Sequence, residues 1–435
     1  MTSTLVAILS LAVFGIPITL AVDRRSRGAL LIGTAYLYGS GTIFLLLLAL
    51  SIVHVRWTLL SVTLSALAVF CAAAMLIRRD AGNRERSSTP TPHILDLISV
   101  VTMIGYALYA TLVPLWEWDF WAIWGLKARR FLDSGGIDWR FLESRWNSFA
   151  HPDYPLLLPF NFDFVALAGG GWSDRWLGLL YVAWGIALLL IVRALAARET
   201  SNCLGALLTL ALAALAVSRH VGYAEGTLIA FGSAGVLFVR AGLLDDDRAA
   251  WRHGALMLGF AANCKNEGLA LLVAVTIGVL LFARKRLVRL WPAYMLAAPW
   301  LLLRAAHSLP TDIAGGSAAS RLWTRLPVAQ RIIVFLALHL YQPGFWIAIL
   351  FGILVATAAS RHRERFVLLV TLIQSAILVA AYFATPYDVQ WHIITSWPRL
   401  TRQIALPIAF SVFLMLANSL RRGQDAPHAE ARSDQ

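Results

Sequence analysis

Charge is scarce in this chain. Asp, Glu, Lys and Arg make up 14% of its 435 residues, against about 25% in an ordinary soluble domain. With 59% hydrophobic residues and a mean hydropathy of +0.69, that shortage excludes a soluble globular protein. Cysteine is scarce too. Cys71, Cys203 and Cys264 lie in or beside apolar runs, at no spacing that suits a disulfide framework or a metal site. There is no phosphate loop of the Walker or dinucleotide type and no repeat at a fixed period. The run Gly169–Gly171 reads as a turn. No basic module interleaved with aromatics occurs, so the net charge of +13 does not point to nucleic acid. The short alternating segments of a β-barrel are missing as well.

What the chain has is apolar length. Runs of about twenty residues recur, enough to cross ~30 Å of hydrocarbon. They predict an all-α, polytopic transmembrane protein with about thirteen spans. The runs lie at about 5–22, 29–53, 57–77, 94–115, 176–195, 204–217, 227–244, 269–282, 290–303, 332–358, 366–383 and 404–420, with a shorter one before Lys265. Residues 1–421 then form a single transmembrane domain, and 422–435 a disordered cytoplasmic tail. The first run lacks a leading positive region and reads as a retained span. Arg concentrates in short loops, which marks those loops as cytoplasmic and puts Met1 outside. The expected location is the plasma (inner) membrane. The basic excess also favours anionic headgroups of membrane lipids.

One run is too short. Only about twelve residues separate Arg252 from Lys265, ~18 Å of helix. Two readings follow. Lys265, Asn266 and Glu267 lie at depth, where a broken helix needs protein or water around it. Or the span is longer and KNEG is an outer turn. In the first case Asn266 would cap the next helix, and Lys265 beside that N-terminus would make an anion site.

The polar outlier is the stretch 116–159, WEWDFWAIWGLKARRFLDSGGIDWRFLESRWNSFAHPDYPLLLP. Carboxylates near a bilayer are expensive and usually functional. Here Glu117, Asp119, Asp133, Asp138, Glu143 and Asp153 sit among tryptophans, which favour the membrane interface. The bland alternative is an interfacial loop with an aromatic belt. A coincidence of sidedness argues for more. WEWDFW with GLKARR, HPDYP, GYAE, CKNEG and YDVQWHIITSWPRLTRQ all fall on the outer face, from five separate parts of the chain. The inner loops are short and mostly Arg.

WDFWAIWGLKAR followed by HPDYPLLLP resembles the first outer loop of the GT-C class of membrane glycosyltransferases. That class includes protein O-mannosyltransferases and the bacterial lipid A aminoarabinose transferase. CKNEGL and TPYDVQWHIITSWPRLTRQIALP resemble segments of other bacterial members. The resemblance covers about residues 115–407 through short motifs. It implies a polyprenyl-phosphate sugar donor and an Asp base in the first outer loop, which matches Asp119. Three features depart from the class. About three extra spans precede the loop, the acids are Glu117-x-Asp119 rather than adjacent, and no sizeable C-terminal soluble domain follows.

The chemistry can be argued from the residues too. Inverting sugar transfer needs a carboxylate to take the acceptor proton and cations or a metal for the departing phosphate. Asp119 is the candidate base, with Glu117 orienting or binding a divalent cation. Lys265, Arg399, Arg402 and His392 are the donor-phosphate candidates. Asp153, Tyr154, Tyr223, Glu225, Asn266, Glu267, Asp388 and Trp391 are candidates for substrate contact. Simpler roles exist for several. Asp153 would be a turn carboxylate between prolines, Glu225 a helix-start residue, and His392 structural. Lys127, Arg129 and Arg130 would bind headgroups from an amphipathic helix. The acceptor would be an envelope glycan, a lipid or a protein. The rival function is a lipid or polysaccharide transporter, which would show internal symmetry, paired broken helices and polar groups on both faces.

Overall fold

Residue types of long apolar reach, with turn-formers and Arg between them, give a chain of helices. In the computed structural model, residues 2–78, 89–113, 115–311, 317–356 and 364–418 are described, and among them there is no strand. The helices are α1 (Thr2–Val22), α2 (Gly28–Ile52), α3 (Leu59–Arg78), α4 (Ile94–Leu112), α5 (Gly125–Ser134), α6 (Trp139–Glu143), α7 (Leu157–Ala168), α8 (Asp174–Leu177), α9 (Leu179–Ala197) and α10 (Asn202–Ala216). They continue as α11 (Glu225–Asp245), α12 (Arg248–Ala262), α13 (Asn266–Ala283), α14 (Trp291–Ala306), α15 (Ala318–Arg325), α16 (Ala329–Leu338), α17 (Pro343–Ala356), α18 (Glu364–Ala384) and α19 (Val389–Gln403). A last one, α20, covers Ala405–Asn418. The expected tail, 422–435, lies outside the described residues.

Among the described residues, eight helices are long and apolar enough to cross a membrane, or up to ten if each of two bent pairs is one span. The protein is an all-helical, multi-pass membrane protein. Small residues let its helices approach closely, as hydrocarbon surroundings favour. A side-chain carbon at Gly15 of α1 would lie 1.7 Å from the Ala35 carbonyl oxygen of α2. One at Gly39 would lie 1.7 Å from that of Leu11.

Several expectations change. The single run at 332–358 is two helices, with α15–α16 and α17 bent by 97°. Pro343 starts α17, and Gln342 before it has φ of 40°, so the helix cannot run through. The outer loop at 387–403 is instead the helix α19, bent by 43° from α20. α10 has 15 residues, short of a full span. The stretch Asn266–Ala306 counts as one long apolar unit but folds back at the 3-10 turn Arg284–Leu290. Arg304 near its end lies 3.5 Å from the Asn266 side chain at its start.

The helices join two polar ends. α11 runs from Glu225, paired with Lys265 at 3.0 Å, to the region of Arg240, buried between Glu199 at 2.6 Å and Glu364. The fifteen positions between Glu225 and Arg240 span ~22 Å of helix. The Arg240 end also holds Arg25 with Asp247 (2.7 Å), Arg193 with Asp96 (2.9 Å) and Arg289 with Asp246 (2.7 Å). That corrects the reading of these loops as plain arginine. Between the ends, Leu228, Ile229, Phe231 and Ala234 of α11 are all buried, with Thr227 and Ser233 among them.

Candidate functional site

The five motifs meet at the Glu225 end. WEWDFW turns into a π-helical turn, Phe120–Trp124, in which the Gly125 amide donates to the Phe120 carbonyl. Such wide turns recur at functional sites. Glu117 and Asp119 precede it, with the Trp121 amide donating to the Glu117 carbonyl at 3.1 Å. Gly222, at φ of 104°, lets the GYAE segment close against this turn. A β-carbon there would sit 2.9 Å from that of Phe120.

CKNEG is a true break. α12 ends at Asn263, Lys265 is extended, and α13 starts at Asn266. The two helices then press together at Gly268, where a β-carbon would lie 1.9 Å from the Ala261 carbonyl oxygen. Lys265 is buried, at 5% exposure, so KNEG is not a free outer turn. Lys265, rather than Asn266, occupies the cap position, with no capping side-chain bond.

The charged centre is a chain of pairs. Arg399 Nη1 donates to Asp119 Oδ2 at 2.7 Å and lies 3.4 Å from Glu225 Oε1. Lys265 Nζ donates to the same Glu225 oxygen at 3.0 Å and lies 2.8 Å from Glu267 Oε1. The Arg399 guanidinium stacks 4.5 Å from the Tyr223 ring centre. Burial and the neighbouring Asp119 push the Tyr223 phenol above its usual range. Asn266 donates to Asp153 Oδ2 at 3.2 Å, and Arg304 lies 3.7 Å from that oxygen. Trp300 donates to the Asp153 carbonyl at 3.2 Å. Asp153 is thus a carboxylate of the turn closed by the Tyr154 amide on the His151 carbonyl, and also a buried junction of three segments.

Not every candidate joins. Arg402 donates to the Ala214 and Val217 carbonyls at the end of α10, which corrects its assignment to a phosphate. Asp388 caps α19, accepting from the Trp391 amide at 2.8 Å. Trp391 is 56% exposed and belongs to the rim with Trp116, Trp118 and Trp121. Glu117 Oε2 lies 2.8 Å from His220 Nδ1. His392 Nδ1 lies 2.9 Å from the Thr385 hydroxyl. Tyr154 stacks between Trp124 and His151. Among the described residues no group of three or more His, Cys, Asp or Glu is arranged to hold a metal ion.

Lys127 is the main surprise. It is fully buried, donates to the His151 carbonyl at 2.5 Å, and lies over the Trp124 and Tyr154 rings. It does not reach headgroups. Arg129 and Arg130 do stay exposed, Arg130 on Asp138 at 2.6 Å. Desolvation lowers the Lys127 ammonium to about 7, partly opposed by Asp153. A signal existed in the sequence. Lysine occurs only at 127, 265 and 285, and two of these lie in the site. Arg304 and His220 carried no such signal.

No family model, curated protein or solved structure matches the chain.

Proposed function

We propose that this protein is a membrane glycosyltransferase of GT-C type. It moves a sugar from a polyprenyl-phosphate carrier to an acceptor at the extracytoplasmic face of the plasma membrane. One observation carries the reading. Asp119, just before the π-turn and within a rim of exposed tryptophans, is held by Arg399 beside the buried Glu225–Lys265–Glu267 group. The bond from Arg399 fixes where the Asp119 carboxylate sits, as a base awaiting a hydroxyl requires.

In the transfer step, the acceptor oxygen bonds to the anomeric carbon as the bond from that carbon to the phosphate oxygen breaks. The acceptor proton goes to Asp119, and the electron pair leaves with the polyprenyl phosphate. Attack from the face opposite the leaving group inverts the anomeric centre. Glu117, tied to His220, orients the turn. Glu225, Glu267 and Asp153 supply acceptors to sugar hydroxyls. Three carboxylates, Asp119, Glu225 and Glu267, face two cations, Lys265 and Arg399. A centre with that negative excess suits a sugar better than an added anion.

In this reading the folded-back pair α13–α14, the short helices α10 and α12 and the two bent pairs complete about thirteen passes. The acceptor is an envelope glycan, a lipid or a protein. The test is transfer of labelled sugar from a polyprenyl-phosphate donor by purified protein, compared with Asp119→Asn. No transfer from any polyprenyl-phosphate sugar would end the reading.

A lipid or polysaccharide transporter is the second reading, and the polar Arg240 end favours it. A transporter needs groups at both ends. Yet Arg240 is spent on two carboxylates from Glu199 and Glu364, as a staple between helix ends would be. Flux of lipid-linked sugar across proteoliposomes without transfer would decide for this alternative.

A further inference from the structure

Tyr223 touches both members of the Asp119–Arg399 pair and has no part in the transfer step above. At 8% exposure it offers a sugar little surface. Its ring centre lies 4.5 Å from the Arg399 guanidinium. Its phenol oxygen accepts from the Asp119 amide. That amide stands at the start of a helical turn, where N–H groups have no partner inside the helix. The Tyr223 ring also stacks on His220, with 5.3 Å between ring centres, and His220 Nδ1 is 2.8 Å from Glu117. One side chain thus meets Arg399, the backbone of Asp119 and the partner of Glu117.

Tyr223 is itself fixed in place. The Tyr181 hydroxyl of α9 donates to its carbonyl at 2.9 Å, and Gly222 just before it closes on Phe120. Two residues on, Glu225 opens α11 and lies 3.4 Å from Arg399 Nη1. The guanidinium is therefore held by its edges and by the ring. Its Nε donates to the Thr395 carbonyl of α19 at 2.9 Å, its Nη1 reaches Asp119 and Glu225, and the group lies over Tyr223. A planar fork so constrained points its donors in one direction. Without the ring, Arg399 would keep its charge and lose the surface that turns Nη1 towards Asp119. Without the phenol, the backbone that carries the Asp119 carboxylate would lose a bond.

We propose that Tyr223 is the positioning residue of the Asp119–Arg399 pair, aligning the guanidinium with its ring and the Asp119 backbone with its phenol, rather than a contact to the sugar. The glycosyl-transfer reading enters only where transfer is measured.

The test uses the full chain in phosphatidylcholine nanodiscs, as wild type, Tyr223→Phe and Tyr223→Leu. Hydrogen–deuterium exchange read by mass spectrometry follows the amides of residues 117–121. The Phe variant should exchange there about tenfold faster, the loss of one hydrogen bond, and the Leu variant at least as fast, with the start of α13 at Asn266 unchanged in both. Wild-type exchange at 117–121 in both variants would overturn the proposal. Faster exchange throughout the bundle would make Tyr223 a general packing residue, which overturns it too. Sugar transfer is scored separately. The Phe variant should lose about tenfold in kcat, and the Leu variant about tenfold more as the cation–π contact goes, with the donor and acceptor KM unchanged. A raised KM at unchanged kcat would make Tyr223 a sugar contact and overturn the proposal. Wild-type protein that shows no transfer defeats the enzyme reading alone, and the exchange result then decides the role of Tyr223.

Discussion

Arg399 and Asp119 are 280 positions apart in the chain and 2.7 Å apart in space. The pair closes the site, because it ties the turn after α4 to the middle of α19. Asp119→Asn keeps the shape and removes the charge that Arg399 holds. The expected loss in transfer rate is about 100-fold or more, the usual effect of removing a general base, with a normal size-exclusion profile. Glu117→Gln, which disturbs only the bond to His220, is expected to lose less. A folded Asp119→Asn protein that transfers at the wild-type rate would remove Asp119 from the mechanism.

Lys265 neutralises two carboxylates in a buried position, with side-chain exposures of 6% for Lys265 and 2% for Glu225. Replacing it by Met strands Glu267 and leaves Glu225 with Arg399 alone, at 3.4 Å. The expected destabilisation is about 3–5 kcal/mol, the range for breaking a buried pair from one side. The double variant Lys265→Met with Glu225→Gln should recover much of it. Tryptophan fluorescence melts in detergent read both. A single variant as stable as wild type would mean that water reaches the pair.

Arg240 separates the two functional readings. Arg240→Lys cannot keep the two-sided contact with Glu199 and Glu364, because an ammonium is a point charge and a guanidinium is a planar fork. The expected outcome is a lower melting temperature with the transfer rate per folded molecule unchanged. A stable variant with lost lipid-sugar flux would instead favour transport.

Lys127 predicts a pH dependence of stability. Its folded pKa, about 7, lies below the value near 10.5 expected when unfolded. Between the two, the unfolded chain binds more protons, so stability rises with pH from about 7 towards 10.5 and the penalty is fully present below 7. Lys127→Met should flatten that rise relative to wild type in melts at pH 7, 8 and 9. Parallel slopes for the two proteins would show that Lys127 is charged throughout.

The apolar runs were enough to read an all-helical, multi-pass membrane protein, since helix length and hydropathy act locally and hydrocarbon permits little else. Sidedness of Arg brought WEWDFW, HPDYP, GYAE, CKNEG and the 387–403 segment to one end, and the structure joins them there through Asp119, Asp153, Glu225, Lys265 and Arg399. The short run before Lys265 also disclosed a real helix break. Other features depended on distant partners. The 387–403 segment reads as a polar loop until it packs, when Ile393, Trp397 and Leu400 become the buried face of α19. Lys127 looks like a headgroup ligand until the Trp124 and Tyr154 rings close over it. Arg402 and Arg399 share one helix and are indistinguishable by sequence. One meets the carbonyls ending α10 and the other meets Asp119. The chain by itself determined which stretches leave water, because that depends on each stretch's own composition. Only the tertiary structure decided which buried charge faces which, because an ion pair's energy depends on the last few ångströms between groups hundreds of residues apart.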